Sequence, residues 1–347
     1  MNKKFVIIFL LGIIYFTGST IIDSGTFKTI ENKFDGEVST VYNSMSGTED
    51  LAVDRDRGLL FISSSDRWAL RDGKKAPNDG IYLLQLDSGT LPVKLRTDYN
   101  GDFHPHGISY FKQNGDSFLY VINHNDNGDF VEAFEFIDHE LKHIQTFQNE
   151  LMTCPNDLVV VGKNKFYVTN DHGNKEGIMR TLEDYLKIPS SYLLYFDGKT
   201  FSKAYEDLNY ANGVAVSHDG RKLYLTHTTG RELLTFNRNP ETGFLEVEST
   251  LKLGTGVDNI DIDEKGNIWV GAHPKLFAFV EHAGNSTKKS PSEVLKITPH
   301  GPKVFGVEKV YMNDGEQISG SSVAVVYKDE IFIGAVFEKK LLRGKLK

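Results

Sequence analysis

The sequence predicts an all-β protein folded as one six-bladed β-propeller around a central tunnel. Three observations favour this fold: a hairpin pattern that recurs six times, many turn-forming and aromatic residues, and few helical segments. The 347 residues include 32 Gly, 23 Phe and 15 Tyr, a combination typical of many short strands joined by turns.

The N-terminus has the pattern of an export signal. Two lysines, Lys3 and Lys4, precede an unbroken apolar run from Phe5 to Phe16, as in the basic and hydrophobic regions of a secretory leader. We therefore expect residues 1–22 to be a cleaved signal peptide or a retained membrane anchor, and residues 23–347 to form the propeller domain. The protein is predicted to be exported: secreted, periplasmic or tethered to a membrane through this apolar segment.

Six segments share one pattern: a polar pair, a short strand, a turn and a second apolar strand. Their first strand residues are Leu51, Ile108, Leu158, Val214, Ile260 and Val323. Units of about 50 residues containing four short strands are typical of propeller blades. A two-sheet sandwich would not explain six equivalent hairpins. One short helix is predicted, from Thr181 to Ile188, as an excursion within the third unit.

Charge and cysteine content exclude several classes of protein. Lys and Arg number 39 against 47 Asp and Glu, for a net charge of −8, which argues against a nucleic-acid partner. A single cysteine excludes an intramolecular disulfide and a thiolate metal cluster. No obligate protein partner is predicted.

The polar pairs predict a metal site. In a propeller, residues at the start of each innermost strand converge on the axis near one mouth. The pairs are Glu49-Asp50, His106-Gly107, Asn156-Asp157, Asn212-Gly213, Asp258-Asn259 and Ser321-Ser322. Four buried carboxylates would repel one another unless a cation joined them. Oxygen ligands without cysteine select Ca²⁺, and seven side chains suffice for two ions. The alternative is that Asn, Asp and Gly merely favour turns before strands.

Two histidines add acid–base chemistry to this mouth. His106 lies at the start of the second unit's first strand, and His124 follows the paired strand of the same unit. A pair of histidines can activate water and relay its proton near neutral pH. Each histidine considered alone is more often a packing residue, and His104 is expected to be one.

The chain resembles the paraoxonase/arylesterase family. The motifs that carry the resemblance are GTEDLAV, FHPHGIS, LYVINHND, PNDLVVVG, FYVTNDH, YANGVAVSHDGRKLY, VDNIDID, IWVGAHP and GSSVAVVY. The resemblance implies a six-bladed propeller with two calcium ions in its tunnel. It further implies that Glu49, Asn156, Asn212, Asp258 and Asn259 bind a catalytic calcium. Asp50, Asp157 and the backbone carbonyl of Ile108 would bind a deeper, structural calcium.

The reaction implied by the resemblance is hydrolysis of small-molecule lactones and aryl esters, and some members of the family also cleave organophosphate triesters. Calcium would polarise the carbonyl, and either the pair His106–His124 or Asp258 would be the general base. The alternatives are a sugar lactonase of the gluconolactonase type and a non-enzymatic binding propeller stabilised by calcium.

The sequence departs from the mammalian members of the family in its cysteines. Those members join their first and last strands by a disulfide, whereas both chain ends here lack cysteine. We therefore expect the ring to close by strand pairing alone. Asn285-Ser286-Thr287 is a glycosylation sequon that matters only in a eukaryotic source.

Overall fold

A computed structural model describes residues 15, 17–42 and 45–347. Within these residues, 25 strands form six sheets. The innermost strand of each sheet contacts the innermost strands of both neighbouring sheets, so the six sheets close into a ring. The predicted six-bladed β-propeller is confirmed.

Each blade runs outward from the axis. The innermost strands are β2 (Asp50–Asp54), β7 (Pro105–Gln113), β11 (Pro155–Gly162), β15 (Ala211–Val216), β19 (Gly256–Ile262) and β23 (Ser321–Tyr327). The second strands are β3 (Leu59–Ser64), β8 (Asp116–Asn125), β12 (Lys165–Asn170), β16 (Lys222–His227), β20 (Ile268–His273) and β24 (Glu330–Ala335). The third strands are β4 (Gly80–Gln85), β9 (Gly128–Ile137), β13 (Ser191–Phe196), β17 (Glu232–Arg238), β21 (Ser292–Gly301) and β25 (Leu341–Lys345).

The outermost strands complete the blades. They are β5 (Val93–Lys94), β10 (Glu140–Phe147), β14 (Phe201–Leu208), β18 (Leu245–Lys252), β22 (Val304–Asn313) and β1 (Val38–Tyr42). The short strand β6 (Arg96–Thr97) pairs in parallel with β10 as a fifth strand of the second blade.

The hydrophobic core consists of layers between adjacent blades. Phe61 of the first blade, for example, packs with Leu119 and Phe134 of the second. Comparable clusters of buried side chains occur at the other five interfaces. Since the strands bury side chains on both faces, each blade depends on its two neighbours for most of its hydrophobic stabilisation.

The N-terminal strand closes the ring. β1 is the outer strand of the sixth blade and pairs antiparallel with β25, with Val38 opposite Gly344. The only cysteine, Cys154, is free and buried. Closure therefore rests on backbone pairing, as the sequence predicted.

Three short helices cover one end of the tunnel in the described chain: α1 (Arg67–Arg71), α2 (Gly177–Leu186) and α3 (Leu276–Gly284). The helix predicted from Thr181 to Ile188 corresponds to α2, which begins earlier, at Gly177. It ends at Leu186 because Lys187 adopts a left-handed backbone conformation. The prediction of a single helix was wrong. α1 has only five residues, and the apolar start of α3 resembles another strand.

A further helical segment, residues 17–23, precedes the propeller. Most of the predicted leader, residues 1–14 and 16, lies outside the described residues. Among the residues that the structure describes, no helix is both long enough and apolar enough to cross a membrane.

Candidate functional site

Irregular pairing at the start of the inner strands positions the polar residues. The register between the first and second strands shifts in five of the six described blades, in each case next to a predicted polar pair. The shifts fall between Pro105 and Ile108, Pro155 and Leu158, Ala211 and Val214, Val257 and Ile260, and Ser321 and Val323. A bulge of this kind bends the strand and redirects its side chains. Glu49 lies immediately in front of β2, whose pairing with β3 is regular, whereas the predicted residues of the other five blades lie at the irregular start of the inner strand.

Two of the pairs contain glycine because neighbouring inner strands come very close. A Cβ on Gly107 would lie 2.6 Å from the carbonyl oxygen of Asn156, and one on Gly213 would lie 2.6 Å from that of Asp258. Side-chain carbons essentially never approach backbone so closely. Glycine at these positions allows each blade to bring its polar residues against those of the next blade.

A cavity of about 430 Å³ opens at this end of the axis. Five of the predicted residues line it: Glu49, His106, Asn156, Asn212 and Asp258. Asn259 is buried beside them, and its Nδ2 donates to Glu49 Oε1 at 2.8 Å. The structure thus brings the predicted catalytic-calcium ligands together in one place.

Four of these ligands present an oxygen with no hydrogen-bond partner in the described structure. The atoms are Glu49 Oε2, Asn156 Oδ1, Asn212 Oδ1 and Asn259 Oδ1, all of them buried. An unsatisfied buried acceptor costs about 1–3 kcal/mol. Three of these residues line the cavity and Asn259 is hydrogen-bonded to Glu49, so the four acceptors supply part of the oxygen set that a hard cation such as Ca²⁺ takes.

The orientations of the amides follow from their partners. Thr228 Oγ1 donates to the carbonyl of Val257 at 2.7 Å, so it accepts from Asn212 Nδ2 at 3.0 Å. Asn156 Nδ2 faces the carboxylate of Asp171 at 3.4 Å. Both amide oxygens are consequently the atoms left free.

The residues fit calcium better than a metal held by histidine or cysteine. In the described part of the chain, no three His, Cys, Asp or Glu side chains are grouped so that they could hold a metal by themselves. The predicted set depends on amide oxygens, which suit calcium.

Burial is the largest influence on the ionisation of Glu49. Burial raises the pKa of Glu49 to about 7; Asp258 adds to the increase, and Arg67 opposes it. Arg67 Nη2 lies 3.9 Å from Glu49 Oε2. One guanidinium at that distance therefore does not offset the rise in the pKa of Glu49 that burial causes.

A second cavity, of about 200 Å³, is lined by the residues predicted to bind the deeper ion: Asp50, Ile108 and Asp157. Burial, followed by the charge of Asp157, raises the pKa of Asp50 well above its usual range. Burial also raises the pKa of Asp157 well above its usual range. The Ile108 N–H donates to Asp50 Oδ2 at 2.6 Å. Two adjacent buried carboxylates require a proton or a cation between them.

The predicted histidine pair is in contact, but only one ring lines the cavity. His106 and His124 meet edge to face with their centroids 5.0 Å apart. His124 Nδ1 lies 2.7 Å from Asp129 Oδ1, which places His124 behind His106. His106 Nδ1 accepts from Arg67 Nη2 at 3.2 Å. The proton of a neutral His106 is therefore on Nε2.

Burial and the neighbouring charges of Arg67 and His124 hold the pKa of His106 well below its usual range. The ring is thus neutral at pH 7, as a base must be. Its Nδ1, however, must leave Arg67 before it can accept a proton.

Sequence reasoning missed two residues of this site. His273 Nε2 lies 2.7 Å from Asp258 Oδ2, and its ring stacks on Phe279 with centroids 3.8 Å apart. Arg67, on α1, contacts both Glu49 and His106. His273 ends the second strand of its blade as His227 does; comparing the repeats at that position could have revealed it.

Two other histidines lie at or just after the ends of second strands. His172 lines the mouth cavity. His227 does not line it, and its Nε2 lies 3.2 Å from Glu232 instead. His104 is the ordinary paired histidine that was expected, since its Nδ1 lies 2.8 Å from Asp79.

Comparison with known proteins identifies the family. The family model described as Arylesterase matches residues 93–344. The chain belongs to the arylesterase family. Serum paraoxonase/arylesterase 1 of Homo sapiens is 33% identical to this arylesterase over 309 residues, 85% of each chain. Serum paraoxonase/arylesterase 2 of Rattus norvegicus is 32% identical over 308 residues, again 85% of each. The predicted hydrolase of the lactonase and arylesterase type is confirmed.

Solved structures support the fold of this arylesterase. A gluconolactonase from Xanthomonas campestris aligns with a TM-score of 0.58 and 15% identity, covering 91% of each chain. Regucalcin from Agrobacterium tumefaciens, described as a calcium-binding protein, aligns with a TM-score of 0.54 and 12% identity. It covers 92% of this chain, which in turn covers 98% of it. At these identities the likeness establishes the propeller fold alone.

Proposed function

We propose that this arylesterase is a calcium-dependent hydrolase of lactones and aryl esters that binds two calcium ions. One observation carries the proposal: four buried oxygens without partners lie at this mouth, three of them on residues that line the cavity (Glu49, Asn156 and Asn212) and the fourth on Asn259, which is hydrogen-bonded to Glu49. These residues come from four different inner-strand starts, so local turn preference does not account for them.

The proposed catalytic calcium is held by Glu49, Asn156, Asn212, Asp258 and Asn259. The proposed structural calcium is held by Asp50, Asp157 and the carbonyl of Ile108. When bound at the mouth, calcium would polarise the substrate carbonyl and stabilise the developing oxyanion.

The chain's own residues would supply the base. Asp258 is buried and its carboxylate is held by His273. His106 is neutral and faces the same cavity, and it would act as a base once its Nδ1 had left Arg67; His124 and Asp129 lie behind it. Either group is within the cavity that a water molecule would share with the substrate.

The remaining parts of the proposal concern location and substrate range. Residues 1–22 would direct export, and residues 23–347 would form the secreted or tethered domain. The relatives named serum paraoxonase/arylesterase favour export. Organophosphate triesters would be additional substrates.

The test is hydrolysis of phenyl acetate and of lipophilic lactones, with calcium and with a chelator. We expect activity in calcium and its loss in chelator. Asn259→Ala should lower kcat/KM by about 10²-fold. The substitution removes a proposed calcium ligand and also the hydrogen bond that Asn259 donates to Glu49. Activity that persists after calcium removal would contradict the proposal. Faster turnover of sugar lactones would favour the gluconolactonase alternative, and calcium binding without turnover would favour a non-enzymatic propeller.

A further inference from the structure

Two arginines at the mouth cavity have no carboxylate partner. Arg71 at the end of α1 and Arg180 in α2 both line the cavity that contains the proposed catalytic residues. In the described structure neither guanidinium lies within 4.0 Å of an acidic side chain, whereas Arg67 lies 3.9 Å from Glu49. Burial and the charge of Arg180 lower the pKa of Arg71, so the two cations are close enough to repel each other.

Neutral groups hold both side chains in place. Arg71 Nη1 donates to the carbonyl of Ala283 at 2.7 Å, and its guanidinium lies 4.8 Å from the ring centre of Phe337. Arg180 Nη1 donates to the sulfur of Cys154 at 3.1 Å. These contacts restrict the rotamers without neutralising the charge, so part of the entropic cost of binding an anion is already met.

The acidic side chains around the cavity already form ion pairs with basic side chains. Asp23 pairs with Lys187 and with Arg231, whose Nη2 is 2.7 Å away. Asp184 pairs with His172 at 3.2 Å.

Three other carboxylates, those of Asp171, Glu49 and Asp258, lie near the mouth. Asp171 acts on Arg180 electrostatically, but its Oδ1 lies 2.5 Å from His172 Nδ1. Glu49 and Asp258 belong to the proposed calcium site. Arg71 and Arg180 are therefore the positively charged side chains at the mouth that have no acidic partner in the described structure.

A third donor lies beside the arginines. Tyr210 lines the cavity, and its ring meets His172 edge to face with centroids 4.9 Å apart. Burial raises the pKa of Tyr210 well above its usual range, so its phenol remains a hydrogen-bond donor.

We propose that Arg71, Arg180 and Tyr210 form an anion-binding subsite, and that the preferred esters or lactones carry a carboxylate remote from the bond that is cleaved. Guanidinium groups bind carboxylates through paired, charge-assisted hydrogen bonds. The subsite deepens the proposed function and rests on it, since the scissile carbonyl would lie at the calcium while the second anionic group reaches the rim.

The experiment compares two esters that differ in one charge, 4-acetoxybenzoate and its methyl ester. It measures kcat/KM for the wild type, Arg71→Gln, Arg180→Gln and Arg180→Lys. We expect the wild type to prefer the anionic ester and each glutamine variant to lower that preference about tenfold. Arg180→Lys should retain more of the preference than Arg180→Gln but less than the wild type, because lysine keeps the charge without the paired hydrogen bonds. Arg343→Gln is the matched control: Arg343 pairs with Glu330 at 2.6 Å in the sixth blade, and neither rate should change.

Ionic strength and direct binding complete the test. The preference for the anionic ester should decline as salt is raised, because screening weakens exposed charges. An unchanged preference in both glutamine variants would overturn the subsite while leaving the esterase intact. If neither ester is hydrolysed, the proposed function fails, and calorimetry with 4-hydroxybenzoate in calcium-containing buffer still decides the subsite. Binding lost in both glutamine variants supports it, and equal binding refutes it.

Discussion

The substitution Asp157→Ala distinguishes the two proposed calcium sites, because Asp157 is a proposed ligand of the structural ion only. Asp157 is buried, its Oδ1 accepts from the Leu158 N–H at 2.7 Å, and its Oδ2 accepts from the Val214 N–H at 2.7 Å. The second bond joins β11 to β15. Alanine would leave both N–H groups unpaired, at a cost of about 1–3 kcal/mol each. It would also remove a carboxylate from the deeper ion.

The calcium dependence of stability is the informative quantity. Above its Kd, each ion that binds only the folded state adds about 1.4 kcal/mol per tenfold increase in free calcium. Two ions therefore add about 2.8 kcal/mol per tenfold. At about 2 °C per kcal/mol, the melting temperature of the wild type should rise by about 6 °C per tenfold, and that of Asp157→Ala by about 3 °C.

The assay is thermal unfolding across a calcium titration, followed by circular dichroism. Asp54→Ala is the matched control, because Asp54 is equally buried on an inner strand and accepts the Asp56 N–H at 3.2 Å and the Tyr110 hydroxyl at 2.7 Å. It should lower the melting temperature without changing the slope. A slope in Asp157→Ala equal to that of the wild type would refute the division into a deeper and an outer ion.

Three further predictions concern the cavity. His273→Ala should lower kcat about 10-fold to 100-fold with a smaller change in KM, because His273 orients Asp258; a change in KM alone would contradict this role. Despite its burial, His172 has a pKa raised to about 9 by Asp171 and Asp184. This folded-state pKa is above the ordinary value of 6.5, so the stabilisation is complete below pH 6.5 and is lost as the pH rises towards 9. Urea unfolding should accordingly show His172→Gln destabilised at pH 6 and nearly equal to the wild type at pH 10; a constant difference would refute this. Gly213→Ala should lower the free energy of unfolding by about 1–3 kcal/mol and impair activity, because its Cβ would displace β19. Wild-type stability of this variant in urea unfolding would contradict the prediction, since it would show that β19 moves aside at little cost.

The repeat explains how much of the site could be predicted. Glu49, Asn156, Asn212 and Asp258 occupy equivalent positions in different blades, so recognising the period was sufficient to place them on one axis. The bulges were not predicted, because register depends on the partner strand as well as on local sequence. Their effect is visible only in the structure, where they redirect the polar side chains.

Residues outside the repeat were harder to find. Arg67 and Arg180 lie on short helices inserted between strands, and nothing periodic marks them. α1 depends on its cap, where Asp66 Oδ1 accepts from the Ala69 N–H at 3.1 Å, more than on an apolar face. Comparing the repeats could have revealed His273 as a histidine that ends a second strand, but its contact with Asp258 depends on which way that strand end points, and the sequence does not specify this.

The pairing of β1 with β25 has a consequence for synthesis. Val38 is translated about 300 residues before its partner Gly344. β1 must therefore wait, unpaired, until β25 has been made, and its exposed edge is open to wrong partners in the meantime. A nascent molecule interrupted just before β25 would be unable to close its ring, so the synthesis of β25 determines when the sixth blade can form.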